Sequence, residues 1–150
     1  DQSMRRKSVT SSRSALNGYQ KGRCFYCFSE LTLLGDGMNV DVDHFFPHKL
    51  KHQNYGLIVD GVWNLVLSCQ QCNRGTNGKF DRIPSVELLK RLHTRNEFFI
   101  GSHHPLRETL INQTGKTVAD RAKFLHDVYR KVQLNPATAW EPMQVTAAYF

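Results

Sequence analysis

Apolar and polar residues alternate in short bursts through the first half of the chain and settle into a helical period in the second. Residues 1–10 are polar and basic and read as a flexible arm. Residues 11–21 predict a helix carrying Leu16 and Tyr19 on one side, with Gly22 placed to end it. Residues 30–34 read as a short strand and Gly35-Asp36-Gly37 as a turn. Over residues 38–46, Val40 and Val42 alternate with Asp41 and Asp43, which predicts a second strand that Pro47 terminates. Residues 47–56 are basic and rich in turn formers, a loop or short helix. Residues 62–69 form a short apolar run, and residues 70–80 open a helix that Gly75 and Gly78 keep short or irregular.

After Pro84 the period changes. Ser85 reads as the N-cap of a helix whose apolar set is Leu88, Leu89 and Leu92. The cleanest helix follows Thr117: Val118, Ala122, Leu125, Tyr129 and Val132 step by three and four and build one apolar face. Thr117 with Asp120 resembles a capping box, although Glu or Gln is the usual partner. The tail from Asn135 onward contains Pro136 and Pro142 and reads as mostly irregular. Trp63 and Trp140 read as core residues. The fold class that emerges is α+β, with strands confined to the first half.

A chain of 150 residues suits one compact domain. It begins at Asp1 rather than Met and reads as a segment of a longer chain. No apolar stretch approaches the roughly 18 residues needed to cross a bilayer, and no export signal is visible, so the expectation is an intracellular, cytoplasmic protein with no membrane partner. The net charge is +7, from 20 Lys and Arg against 13 Asp and Glu, which fits a polyanionic partner without requiring one.

Four cysteines form two Cys-x-x-Cys pairs, Cys24 with Cys27 and Cys69 with Cys72. Two such knuckles suit a tetrahedral thiolate site for a structural Zn²⁺, closed because four thiolates leave no open position. Two disulfides, or a redox motif, are the alternatives. A zinc ion would fold Asp43-His44 back toward the second knuckle, which Asn64 and Asn73 flank. An acid, an imidazole and two amides suit a hard divalent cation and a base that activates water. Arg74 and Lys79, beside Asn73, are candidates for phosphate contacts, and read equally well as solvated charges.

The order Cys-x-x-Cys, Asp43-His44, aromatic-Pro47, Asn64-Leu65 and Cys-x-x-Cys-Asn73 resembles the zinc-stapled HNH endonucleases. The resemblance covers about residues 16–82. It implies a ββα-metal core within a single domain, followed by a helical extension over about residues 83–150. It implies that His44 is the general base and that Asp43 is a ligand of a catalytic Mg²⁺ or Mn²⁺. Asn64 would orient His44 or brace the loop around it. Asn73 would replace the family's last His as the second metal ligand, an H-N-N variant, with Asn77 a competitor one helical turn further on. The implied substrate is DNA, with a recognition or motor domain upstream, in restriction, phage defence or DNA mobility. In a regular strand Asp43 and His44 face opposite ways, so the strand must twist, bulge or end for both to serve one site.

A non-catalytic zinc-knuckle nucleic-acid-binding module is the alternative, and such a module has no need of the set Asp43, His44, Asn64 and Asn73. A zinc-dependent base deaminase is excluded, because no His-x-Glu occurs and Ser68 rather than Pro precedes Cys69.

Overall fold

Valines at alternate positions and a buried apolar run pair as the two strands of a small sheet. β1 (Val40–His44) lies antiparallel to β2 (Leu65–Cys69), in register from Val40 opposite Cys69 to His44 opposite Leu65. The computed structural model describes residues 13–32, 40–52 and 58–150. The expected N-terminal arm, the turn at 35–37 and the loop at 53–56 lie outside the described residues.

β2 is buried from Leu65 to Ser68, which explains its unbroken apolar run. Its second edge meets side chain and loop. A first helix, α1 (Arg13–Gln20), delivers the buried Gln20 amide to Leu67. There Oε1 accepts from the Leu67 N–H at 2.9 Å and Nε2 donates to the Leu67 carbonyl at 2.8 Å. The Phe25 N–H donates to the same carbonyl. These bonds satisfy backbone groups that would otherwise be buried without partners. The chain then turns through Lys21 and Gly22, both at positive φ, where the glycine was expected to stop the helix.

Of the strand expected over 30–34, the described residues 30–32 carry a single bridge, between Arg23 and Glu30. The Leu31 N–H is committed to the Gly22 carbonyl, which closes the first knuckle on itself and leaves no ladder to extend. Residues 33 and 34 lie outside the described residues.

β2 runs without a loop into α2 (Gln70–Arg74), which Gly75 ends. Three helices complete the chain: α3 (Val86–Gly101), α4 (Arg107–Thr114) and α5 (Val118–Val132). Ser85 and Thr117 cap α3 and α5 through their hydroxyl oxygens, which accept from Leu88 N–H and Asp120 N–H. α4 was not expected, because only Leu110 and Thr114 of its residues are buried and no apolar stripe marks it.

Arginines fasten α3 to the sheet. Arg95 is fully buried and donates to the carbonyls of Leu65, Val62 and Trp63. Burial pulls its pKa down to about 9, which leaves it charged at neutral pH. Arg91 donates to the carbonyls of Phe25 and Tyr26 and lies over the Phe28 ring. Arg121 of α5 forks onto both carboxylate oxygens of Glu97 of α3. The tail is irregular yet anchored: Trp140 is buried, Thr146 donates to the Cys27 carbonyl, and Phe150 packs on the rings of Tyr19, Phe25 and Phe28. Among the described residues no helix is long and apolar enough to cross a membrane.

Candidate functional site

The two knuckles meet. The sulfurs of Cys24, Cys27, Cys69 and Cys72 all lie within 4.8 Å of one another. Cys27 and Cys69 are 3.8 Å apart, and a tetrahedron with Zn–S bonds of about 2.3 Å has S–S edges of about 3.8 Å. Backbone N–H groups of Tyr26 and Cys72 point at the sulfurs of Cys24 and Cys69. Held this close, the thiols drive one another's acidity apart. Hydrogen bonds from neighbouring sulfurs push Cys27 down and Cys69 down to about 6, and push Cys24 and Cys72 up. The cluster is able to hold a zinc ion, which would keep all four sulfurs as thiolates. It joins the loop before β1 to the β2–α2 junction.

On the other side of α2 is an open cleft of about 320 Å³ lined by Val42, Asp43, His44, Pro47, His48, Asn73, Arg74, Phe80 and Asp81. Three of the predicted catalytic residues, Asp43, His44 and Asn73, therefore share one cavity. β1 ends at His44, and the chain bends through Phe45 and Phe46. That ending lets neighbouring side chains serve one cleft although they leave the strand on opposite faces.

Asp43 is buried and carries two contacts on Oδ2. The Tyr26 hydroxyl donates to it at 2.6 Å, and the Lys79 ammonium lies 3.3 Å away. Burial pushes the Asp43 carboxyl up, against the opposing pull of Lys79 and Tyr26. Burial likewise pulls the Lys79 ammonium down, against the charge of Asp43. Lys79 also donates to the His44 carbonyl at 2.8 Å. The expectation of a phosphate contact at Lys79 is corrected here: its side chain is 0% exposed and its charge is spent inside the protein.

Asn73 is held by Asp41, whose Oδ2 accepts from Asn73 Nδ2 at 2.9 Å. Arg74 pairs with the same carboxylate while remaining largely exposed at the cleft. Asn77 stands apart. It takes a positive φ, its amide meets Met143, and its carbonyl accepts from Trp140 and Arg82. It does not line the cleft that Asn73 lines.

Asn64 is fully buried and braces the loop after β1. Its Oδ1 accepts from the Phe46 N–H, and its Nδ2 donates to the carbonyls of Phe46 and Val59.

Two partners were missed. Asp60 lies 2.6 Å from His44 Nε2, with His48 Nε2 and Lys51 Nζ each 3.7 Å from its carboxylate. Burial works to raise the Asp60 pKa, but the bond from His44 and the charges of His44, His48 and Lys51 outweigh it and lower it. Tyr26, inside the first knuckle, is the other. Neither carried a signal: Asp60 sits among loop residues and Tyr26 reads as a spacer between cysteines.

No family model, curated protein or solved structure matches the chain.

Proposed function

We propose that this chain is an HNH-type endonuclease domain that hydrolyses DNA phosphodiester bonds, a zinc-stapled H-N-N variant in which His44 is the general base. One observation carries the reading. An antiparallel strand pair runs directly into a helix, and Asp43, His44 and Asn73 line one cleft between them, beside a four-cysteine cluster. The zinc at the cysteines is structural, since a four-thiolate shell has no position for substrate.

The donor set for a catalytic cation is small. Both contacts of Asp43 fall on Oδ2, and the Asn73 NH₂ group is committed to Asp41, so Asp43 Oδ1 and Asn73 Oδ1 are the oxygens that would hold Mg²⁺ or Mn²⁺. Such an ion supplies charge stabilisation at the phosphate. The protein's own part is proton transfer. Water gives its proton to the His44 imidazole as its oxygen bonds to phosphorus, and the bond to the leaving oxygen breaks with its electron pair on that oxygen. Arg74, exposed at the cleft, is placed to meet a flanking phosphate, although Asp41 offsets its charge.

The internal partners of Asp43 and Asn73 favour a second reading, a zinc-knuckle module that binds nucleic acid without cutting it. Incubating plasmid DNA with purified protein and Mg²⁺ or Mn²⁺, with and without chelator, separates the two. The nuclease reading expects metal-dependent nicks or breaks that His44→Ala reduces by about 100-fold with DNA binding retained. Binding that weakens steeply with salt, with no cleavage in either metal, supports the module instead.

A further inference from the structure

Asp60 is delivered to His44 by a turn that cannot easily move. The Gly61 N–H donates to the Ile58 carbonyl at 3.0 Å, and the Trp63 indole donates to the same oxygen at 3.0 Å. Asn64 holds the Val59 carbonyl. Trp63 and Asn64 are both fully buried, so two core side chains fix the residues on which Asp60 sits. Gly61 is required there: a Cβ would fall 2.7 Å from Trp63 Cδ1 and 2.7 Å from Gln113 Oε1. His44, at the other end of the contact, is only 5% exposed.

A neutral imidazole has one N–H donor and one acceptor nitrogen, while a carboxylate only accepts. At 2.6 Å from Asp60 Oδ1, His44 Nε2 is therefore the donor. We infer that Asp60 is the positioning residue for His44: its carboxylate holds the imidazole as the Nε2–H tautomer, which makes Nδ1 the nitrogen that accepts the proton of the attacking water. This rests on the nuclease reading for what Nδ1 does, but not for the tautomer itself. When Nδ1 takes the proton the ring becomes an imidazolium, and the Asp60 charge lies against it. Asn64 then acts one step further back, by fixing both the loop after β1 and the turn that carries Asp60.

The test compares wild-type protein with Asp60→Asn and Asp60→Glu, each verified as folded by zinc content and thermal melting. Nitrogen-15 correlation spectra of the His44 ring read the tautomer directly, and plasmid cleavage reads kcat and KM. The expected wild-type signature is Nε2–H. Asp60→Asn, whose amide can donate as well as accept, should lose that signature in favour of a mixture or of Nδ1–H. It should cut about 100-fold more slowly with KM little changed. Asp60→Glu should keep the tautomer and recover part of the rate. A wild-type Nδ1–H signature, or an Asn variant with both tautomer and kcat unchanged, overturns the inference and leaves Asp60 a loop anchor. The wild-type spectrum needs no variant to fold. If no protein cuts DNA while the tautomer follows Asp60, the nuclease reading fails and the Asp60–His44 pair stands.

Discussion

Replacing Lys79 by Met tests the electrostatics beneath the cleft in one step. The ammonium lies 3.3 Å from Asp43 Oδ2, with both side chains buried. At an effective dielectric constant of about 20 that separation corresponds to an attraction of about 5 kcal/mol. Methionine keeps most of the volume and drops both the charge and the bond to the His44 carbonyl. The stranded carboxylate has one escape, which is to take up a proton. At pH 7, protonating a carboxyl of ordinary aspartate acidity costs about 4 kcal/mol, so the loss saturates near that value. The expected loss is about 3–4 kcal/mol at neutral pH, or a fall in Tm of about 10 °C for a chain of this size. The pH dependence carries a sign. Burial already raises the Asp43 pKa, and removing Lys79 raises it further, so the folded variant binds its proton more tightly than the unfolded chain does. Its stability therefore falls as pH rises from the unfolded aspartate value toward the folded one. The deficit against wild type shrinks by up to about 1.4 kcal/mol for each unit the pH is lowered from 7 toward 5. Asp43→Asn in the Lys79→Met background should restore most of the loss. Urea unfolding of zinc-loaded protein at both pH values reads all three quantities. A Lys79→Met protein of wild-type stability that binds DNA more weakly would refute the buried pair and return Lys79 to the surface as a phosphate contact.

Elemental analysis should find close to one zinc ion per chain, and Cys69→Ser should lose both the metal and the cooperative unfolding transition, because binding energy at such a site is folding energy; folded protein without zinc would rule this out. Arg95→Met should cost about 2 kcal/mol or more in urea unfolding, since it strips the buried Leu65 carbonyl of its donor and leaves the Val62 and Trp63 carbonyls with only the Leu65 N–H and the Asn96 amide, and Arg95→Lys should recover only part because an ammonium lacks the guanidinium fork. In the plasmid assay, Asn73→Ala should raise the Mg²⁺ concentration required for cleavage while zinc content stays unchanged, and Asn77→Ala should not; a shift confined to the Asn77 variant would reverse the assignment.

What could be read from the sequence was whatever its neighbours determine. Ser85 and Thr117 announce their helices because a cap acts on N–H groups three residues away. The cysteine pairs announce a shared site because two-residue spacing suits thiolate coordination, and the four sulfurs do converge. Asp43 and His44 were legible as a pair, and Asn73 as their neighbour, because Asn73 follows directly on Cys72 of the cysteine cluster. Over its described residues, 30–32, the expected strand gave way for the complementary reason: propensity favoured it, but the knuckle had already claimed the Leu31 N–H. α4 was missed because it lies among helices with little of its surface turned inward, so burial left no period in its residues.

The cleft's supporting groups were hidden because non-local charge decides them. Hydropathy applied to Lys79 and Phe80 places the aromatic inside and the ammonium in water. The protein does the reverse: Lys79 is 0% exposed and Phe80 is 57% exposed. Two backbone bonds set this orientation. Lys79 N–H donates to the Cys72 carbonyl at 2.6 Å and Phe80 N–H to the Asn73 carbonyl at 2.8 Å, which folds the segment back onto α2 and turns Lys79 inward. Phe80 is left at a φ of 49°, a conformation unfavourable for a bulky side chain. An inward lysine is tolerable only where a countercharge waits, and Asp43 supplies it from β1. The Tyr26 hydroxyl shares that carboxylate from within the knuckle, so the four-cysteine cluster positions one of the donors that hold Asp43. The four-cysteine cluster and the cleft geometry are thus linked through Tyr26, and each side chain in the chain of contacts is set by a partner that sequence proximity does not reveal.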